Sequence, residues 1–180
     1  MGLDHRCNIT FLICSWMAGL MLFGCVVRPS IMDQPPWYLM SSGAYDTVHG
    51  RTFYGIGKAE GSLNATLLRA TAVNRARKAL AKVLDQYVAE LFQATQAMPA
   101  LTMEDGEQMI GALVRNAMKL SVISDHWKDP QKGRFHALCR LDLVRFKQVL
   151  ATQTAIAPEV RSAMAAEAES VHDRVMRPPG

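Results

Sequence analysis

The stretch "RTFYGIGKAEGSLNATLLRATAVNRARKALAKVLDQY", residues 51–87, decides the fold. Its first part, "RTFYGIGKAEG", reads as a strand. Phe53, Tyr54 and Ile56 are β-formers, and Gly55, Gly57 and Gly61 interrupt them. The glycines resemble a dinucleotide-binding loop only at first sight. Their spacing misses G-x-G-x-x-G by one position, and Ser62 and Asn64 stand where a helix would have to start to meet a pyrophosphate. Glycines inside a strand otherwise mark a bulge or a close approach of another backbone.

What could approach comes next in the chain. Over residues 65–96, Leu68, Ala72, Ala76, Ala79, Leu80, Val83, Tyr87 and Leu91 recur at threes and fours, the spacing of one helix face. Asn64 is placed to cap it. Alanines at 70, 72, 76, 79 and 81 thin the helix enough to lie close on a sheet. Arg69, Arg75, Arg77, Lys78 and Lys82 occupy its flanks. Such a basic helix invites a nucleic-acid or membrane reading, although a solvated face is the commoner origin of the pattern.

Further along, Pro99 closes this helix, and Thr102 with Asp105 approximates a capping box for a shorter one bearing Ile110, Leu113, Val114 and Ala117. Residues 119–143 hold two alternating runs around "KDPQKG", a hairpin with Pro130 and Gly133 in its turn. The expected register pairs Trp127 with Arg134, Asp125 with His136 and Ile123 with Leu138. It sets Leu120 and Val122 beside Phe135, Ala137, Cys139 and Leu141 on the other face. A short helix carries Leu143, Phe146, Val149 and Leu150. A last one starts at Pro158, and its narrow stripe of Val160, Met164, Ala168, Val171 and Val175 must lie on the domain or on another copy. The fold class expected is α+β, a small antiparallel sheet (a glycine-rich first strand plus a late hairpin) packed on a long helix, with an extra C-terminal helix.

The 180 residues are 49% apolar and 20% charged, which favours a packed core over disorder. A net charge of +4 suits anionic surfaces but is too small to argue for nucleic acid. The four cysteines, Cys7, Cys14, Cys25 and Cys139, show neither zinc-ligand spacing nor a disulfide framework. Residues 1–8 are short and polar, and "ITFLICSWMAGLMLF", residues 9–23, carries no charge. That is the layout of a secretory signal. "LFGC" then places Leu22 three residues before Cys25 and the small Gly24 next to it, which resembles a bacterial lipobox. The peptidase needs a small residue beside the scissile bond, and Cys25 supplies the thiol for a thioether. An uncleaved anchor over residues 9–27, nearly long enough to span a bilayer, is the competing reading. A buried N-terminal helix lacks the amphipathic pattern it would need.

These features divide the chain into a signal peptide over 1–24, a lipidated tether over 25–50, an α+β domain over 51–157 and a C-terminal amphipathic helix over 158–180. Trp37 and Tyr38, after Pro35-Pro36, are expected to pack onto the domain. Among chemical groups, only Asp125, His126, His136 and Cys139 cluster. No register brings a cysteine and a histidine to one point, as nucleophilic catalysis or metal binding requires. Asp125 and His136 alone could be an acid–base pair, but a cross-strand ion pair explains them more simply. No catalytic residue, metal or cofactor is expected. Asp125, Trp127, Arg134 and His136 form a candidate interaction face.

"FYGIGKAEG…NATLLRATAVNRARKALAKVLDQY" followed by "VISDHWKDPQKGRFHALCRLDLVRFK" resembles the LPP-twenty-type bacterial lipoproteins over roughly residues 35–150. The resemblance implies a compact α/β domain at the periplasmic face of the outer membrane, held by acyl chains on Cys25. The expected partner is a second copy of the chain or an envelope protein, with no nucleic acid. The absence of aspartate at Val26 and Val27 fits outer-membrane export in many such lipoproteins. FlgP-like relatives form disks around the flagellar motor, and other relatives are surface antigens. The family implies no catalytic residues. A periplasmic ligand-binding or enzymatic domain using Asp125 and His136 is the alternative.

Overall fold

The structure, a computed structural model, describes residues 34–61, 64–95 and 103–176. A 3-10 turn over Pro36–Leu39 leads into β1 (Gly43–Thr47) and β2 (Gly50–Ala59). Helix α1 (Ala65–Ala94) and helix α2 (Met103–Met118) follow. Then come β3 (Val122–Lys128), β4 (Phe135–Asp142), α3 (Leu143–Ala151) and α4 (Pro158–Val175). The four strands form one antiparallel sheet in the order β1-β2-β4-β3. The α+β class expected from the sequence is the one observed.

The glycines of β2 do permit close approach. Alternation turns Phe53, Gly55, Gly57 and Ala59 toward α1. A Cβ on Gly55 would stand 2.3 Å from the Ala76 carbonyl oxygen, and one on Gly57 would stand 2.0 Å from that of Ala72. Helix backbone therefore rests directly on strand backbone, with Ala72 and Ala76 fully buried between them. Leu68, Leu80, Leu84, Val88 and Leu91 extend the contact along α1, and Phe135, Ala137, Cys139 and Leu141 of β4 complete the floor. Asn64 caps the helix as expected, its Oδ1 accepting the Leu67 N–H at 3.1 Å. Thr102, the other proposed cap, lies outside the described residues.

Two segments outside the expected domain of residues 51–157 pack with it. Residues 35–50 were expected to be tether, yet they fold: the compact unit begins at Pro35, and β1 pairs with β2 from Gly43↔Tyr54 to Thr47↔Gly50. Residues 158–180, expected as an extra C-terminal helix, supply α4 over Pro158–Val175, and it packs into the same core. Met164, Ala168 and Val171 are fully buried in it, and the Tyr87 hydroxyl donates to the Ala168 carbonyl at 2.7 Å. Beyond α4, Met176 bridges Ala44 and so covers part of the outer edge of β1.

The hairpin register differs from the expected one. Trp127 faces His136 and Asp125 faces Leu138, with a bulge between Ile123 and Asp125. The cause lies in the turn. Asp129 Oδ1 accepts the N–H groups of Gln131 (2.8 Å) and Lys132 (3.0 Å), and Gly133 takes the left-handed conformation at φ +61°. Asp129 N–H donates to the Arg134 carbonyl at 2.8 Å, so these two residues bracket the turn and Lys128 pairs with Phe135. The bulge then leaves Ile123, not Val122, on the helix side opposite Cys139.

Candidate functional site

Of the four residues expected to share an interaction face, the structure brings three together. Asp125, Trp127 and His136 lie on the side of the sheet away from α1. Arg134 precedes β4 and instead forms an ion pair with Glu60, just past the end of β2. Asp125 and His136 are not cross-strand partners; they are diagonal neighbours.

That face is not open. The 3-10 turn folds over it, as expected of Trp37 and Tyr38. Trp37 donates its indole N–H to Asp125 Oδ2 at 2.6 Å and is buried with Tyr45, Tyr54 and Leu138. Tyr38 meets Trp127 edge-on with ring centroids 4.8 Å apart, and lies 4.8 Å from the His136 ring. Trp127 flanks the same imidazole at 5.6 Å. His136 is thus 1% exposed, and neither ring nitrogen has a hydrogen-bond partner among the described residues. Lys58, opposite His136 in β2, places its ammonium 5.9 Å from the Tyr38 ring centre. Lys58 was missed from the sequence. Its signal was parity, because it alternates with Tyr54 and Ile56.

A second buried imidazole, His172 of α4, packs edge-on against Phe53. Its Nε2 lies 3.5 Å from the Thr52 carbonyl, and its Nδ1 lies 3.7 Å from Asp173. Burial holds both histidines below their ordinary pKa. Lys58 and Arg134 push His136 the same way, while Asp129 and Glu60 oppose. For His172, Thr52 and Asp173 oppose and Arg51 adds to the fall. The unfolded chain takes up these protons near pH 6.5, where the folded chain resists them. Stability is therefore complete above about pH 6.5 and falls as the pH drops toward the depressed folded values. Melting between about pH 7.5 and pH 5 should show a loss of several degrees, and His136→Phe should flatten part of that slope. An unchanged slope in the variant would show that His136 is not held neutral. The window stays above the range of Asp173, whose carboxyl the Arg51 guanidinium holds below the usual carboxylate value.

At the opposite end of the sheet, a cleft of about 570 Å³ runs between the β1–β2 turn and α3. Its charges are largely compensated within the fold. Arg51 pairs with Glu169 and Asp173, Lys147 with Glu169, and Asp142 with Arg140 and Arg145. Cys139 is buried against α1, which raises its thiol pKa and keeps it from reacting as a thiolate. Among the described residues, no three His, Cys, Asp or Glu side chains gather as metal ligands, and no helix is long and apolar enough to cross a membrane. Leu22, Gly24 and Cys25 lie outside the described residues. No protein-family model matches the chain, and no curated protein is detectably similar to it.

Proposed function

We propose that the chain is a lipid-anchored envelope lipoprotein, working in a structural or protein-interaction role at the periplasmic face of the outer membrane. The observation that carries this reading is Cys25, set behind Leu22 and Gly24 at the end of an uncharged run. Multiple acyl chains on one cysteine would give the stable anchoring that a single chain does not. The compact unit beginning at Pro35 supports the reading, since the folded body starts shortly after Cys25 in the sequence. The resemblance of residues 35–150 to LPP-twenty-type lipoproteins points the same way.

The chemistry of the sheet's outer face fits a packing role. Asp125 engages Trp37, and His136 is closed in by two aromatic rings. The work of the domain is then to bind a second copy or an envelope protein. Growth on a clickable fatty acid, followed by fractionation, tests the anchor. Wild type should take up the label and stay with membranes. Cys25→Ala should take up none and shift to the soluble fraction. Label retained by Cys25→Ala would refute acylation at this position.

A further inference from the structure

We propose that the end of the domain at which the chain enters rests on anionic phospholipid headgroups. The proposal rests on the lipid-anchor reading and deepens it by naming the surface that faces the membrane. Where that end lies follows from register. Lys128 and Ala59 both pair with Phe135, so the β3–β4 turn and the end of β2 share one end of the sheet. Ala72 sits over Gly57 and Ala76 over Gly55, so the start of α1 projects toward that end as well. Tyr38 packs on Trp127 and His136, next to the last pair of the hairpin. Only nine residues lie between Cys25 and Pro35, and the ten steps from one to the other reach about 35 Å at most when fully extended.

This end is electropositive. Lys58, Lys128 and Lys132 are exposed on the sheet and its turn, and Arg69 and Arg75 are exposed on α1. From its start, α1 meets no acidic side chain until Asp85. Acidic groups nearby are Glu60, Asp125 and Asp129. Arg134 compensates Glu60, while Asp125 and Asp129 keep their charge, held by the Trp37 indole N–H and by two backbone N–H groups of the turn, so five cations stand against two carboxylates at this end. The five cations named form no ion pair among the described residues. At the far end, by contrast, Arg51, Arg140, Arg145 and Lys147 are each paired with a carboxylate. A lipid surface potential acts within a Debye length of about 8–10 Å, so unpaired cations on the anchored side are the ones it would capture.

The full-length lipoprotein, reconstituted in vesicles and labelled with an amine-reactive reagent, tests this. One vesicle set is phosphatidylcholine alone; the other has about one third phosphatidylglycerol. Each basic residue seated on an anionic surface contributes on the order of fivefold. Labelling of Lys58, Lys128 and Lys132 should therefore slow by about that factor in the anionic vesicles, whereas Lys147 should not change. High salt should abolish the difference, and in the double variant Lys128→Glu/Lys132→Glu the remaining reporter, Lys58, should label equally in the two vesicle types. Both positions are exposed, and circular dichroism verifies that the variant is folded. Equal labelling in the two vesicle types would overturn the proposal. Protection by a DNA oligonucleotide with none from anionic vesicles would also overturn it, in favour of a nucleic-acid surface. Failure to join phosphatidylcholine vesicles at all counts against the lipid anchor alone, and the anionic set then still reads the docking.

Discussion

Gly57→Ala should cost about 3 kcal/mol or more, although it adds a single methyl group. The added carbon would stand 2.0 Å from the Ala72 carbonyl oxygen and 2.3 Å from the Ala76 amide nitrogen. Both are backbone atoms of a 30-residue helix, so neither can rotate away as a side-chain tip would. Relief requires α1 to lift off β2, which would open the contacts of Leu68, Leu80 and their neighbours with the sheet. Gly61→Ala is the matched control. Gly61 takes φ +88° with open space around it, so its loss reflects backbone strain alone, about 1–2 kcal/mol. Urea unfolding of the two variants should rank them in that order. A Gly57→Ala midpoint equal to that of wild type would mean that the helix does not sit on this strand.

Phe53→Ala should be comparably damaging, about 3–5 kcal/mol, for a different reason. Phe53 is fully buried where three helices converge. Its ring lies 4.7 Å from Tyr87 of α1, 6.3 Å from Phe146 of α3 and 5.1 Å from His172 of α4. Truncation leaves a cavity that no single neighbour can fill. Val48→Ala, at the 98% exposed tip of the β1–β2 turn, should change stability by less than about 0.5 kcal/mol. Because α4 contributes to the same cavity, Phe53→Ala should lower the midpoint of one cooperative transition. Two separated transitions, with α4 melting on its own, would contradict the shared core.

The central layer was legible because its signals are local and mutually consistent. Small residues recur at helical spacing in α1, and they face glycines at strand spacing in β2. Each pattern alone is ambiguous, and together they specify a close helix–strand contact. β1 was not legible. "GAYDT" is short and follows a stretch rich in proline and serine, and its pairing is dictated by β2 rather than by its own composition. The hairpin was recognised but its register was not, because the turn is set by two N–H groups captured by Asp129 and the strand is then offset by a bulge near Ser124. Neither feature has a signature in hydrophobic alternation. The candidate face inherited that error at Arg134. Packing of Trp37 and Tyr38 was anticipated from the two prolines, but their target was not, since Trp37 and Asp125 are 88 residues apart.

The role of α4 shows the same limit. Its alanine-rich stripe required a partner, and sequence left open whether that was this domain or a second copy. The Tyr87 hydroxyl, reaching the Ala168 carbonyl through the core, selects the domain.

The most direct test of the anchored-domain account is the intact mass of the protein purified from the membranes of its native cells. A lipid-anchored protein should give a chain that starts at Cys25, heavier than the bare polypeptide by a thioether-linked diacylglyceryl group and one amide-linked fatty acid. A mature protein that still begins at Met1, with an unmodified sulfur at position 25, would contradict it.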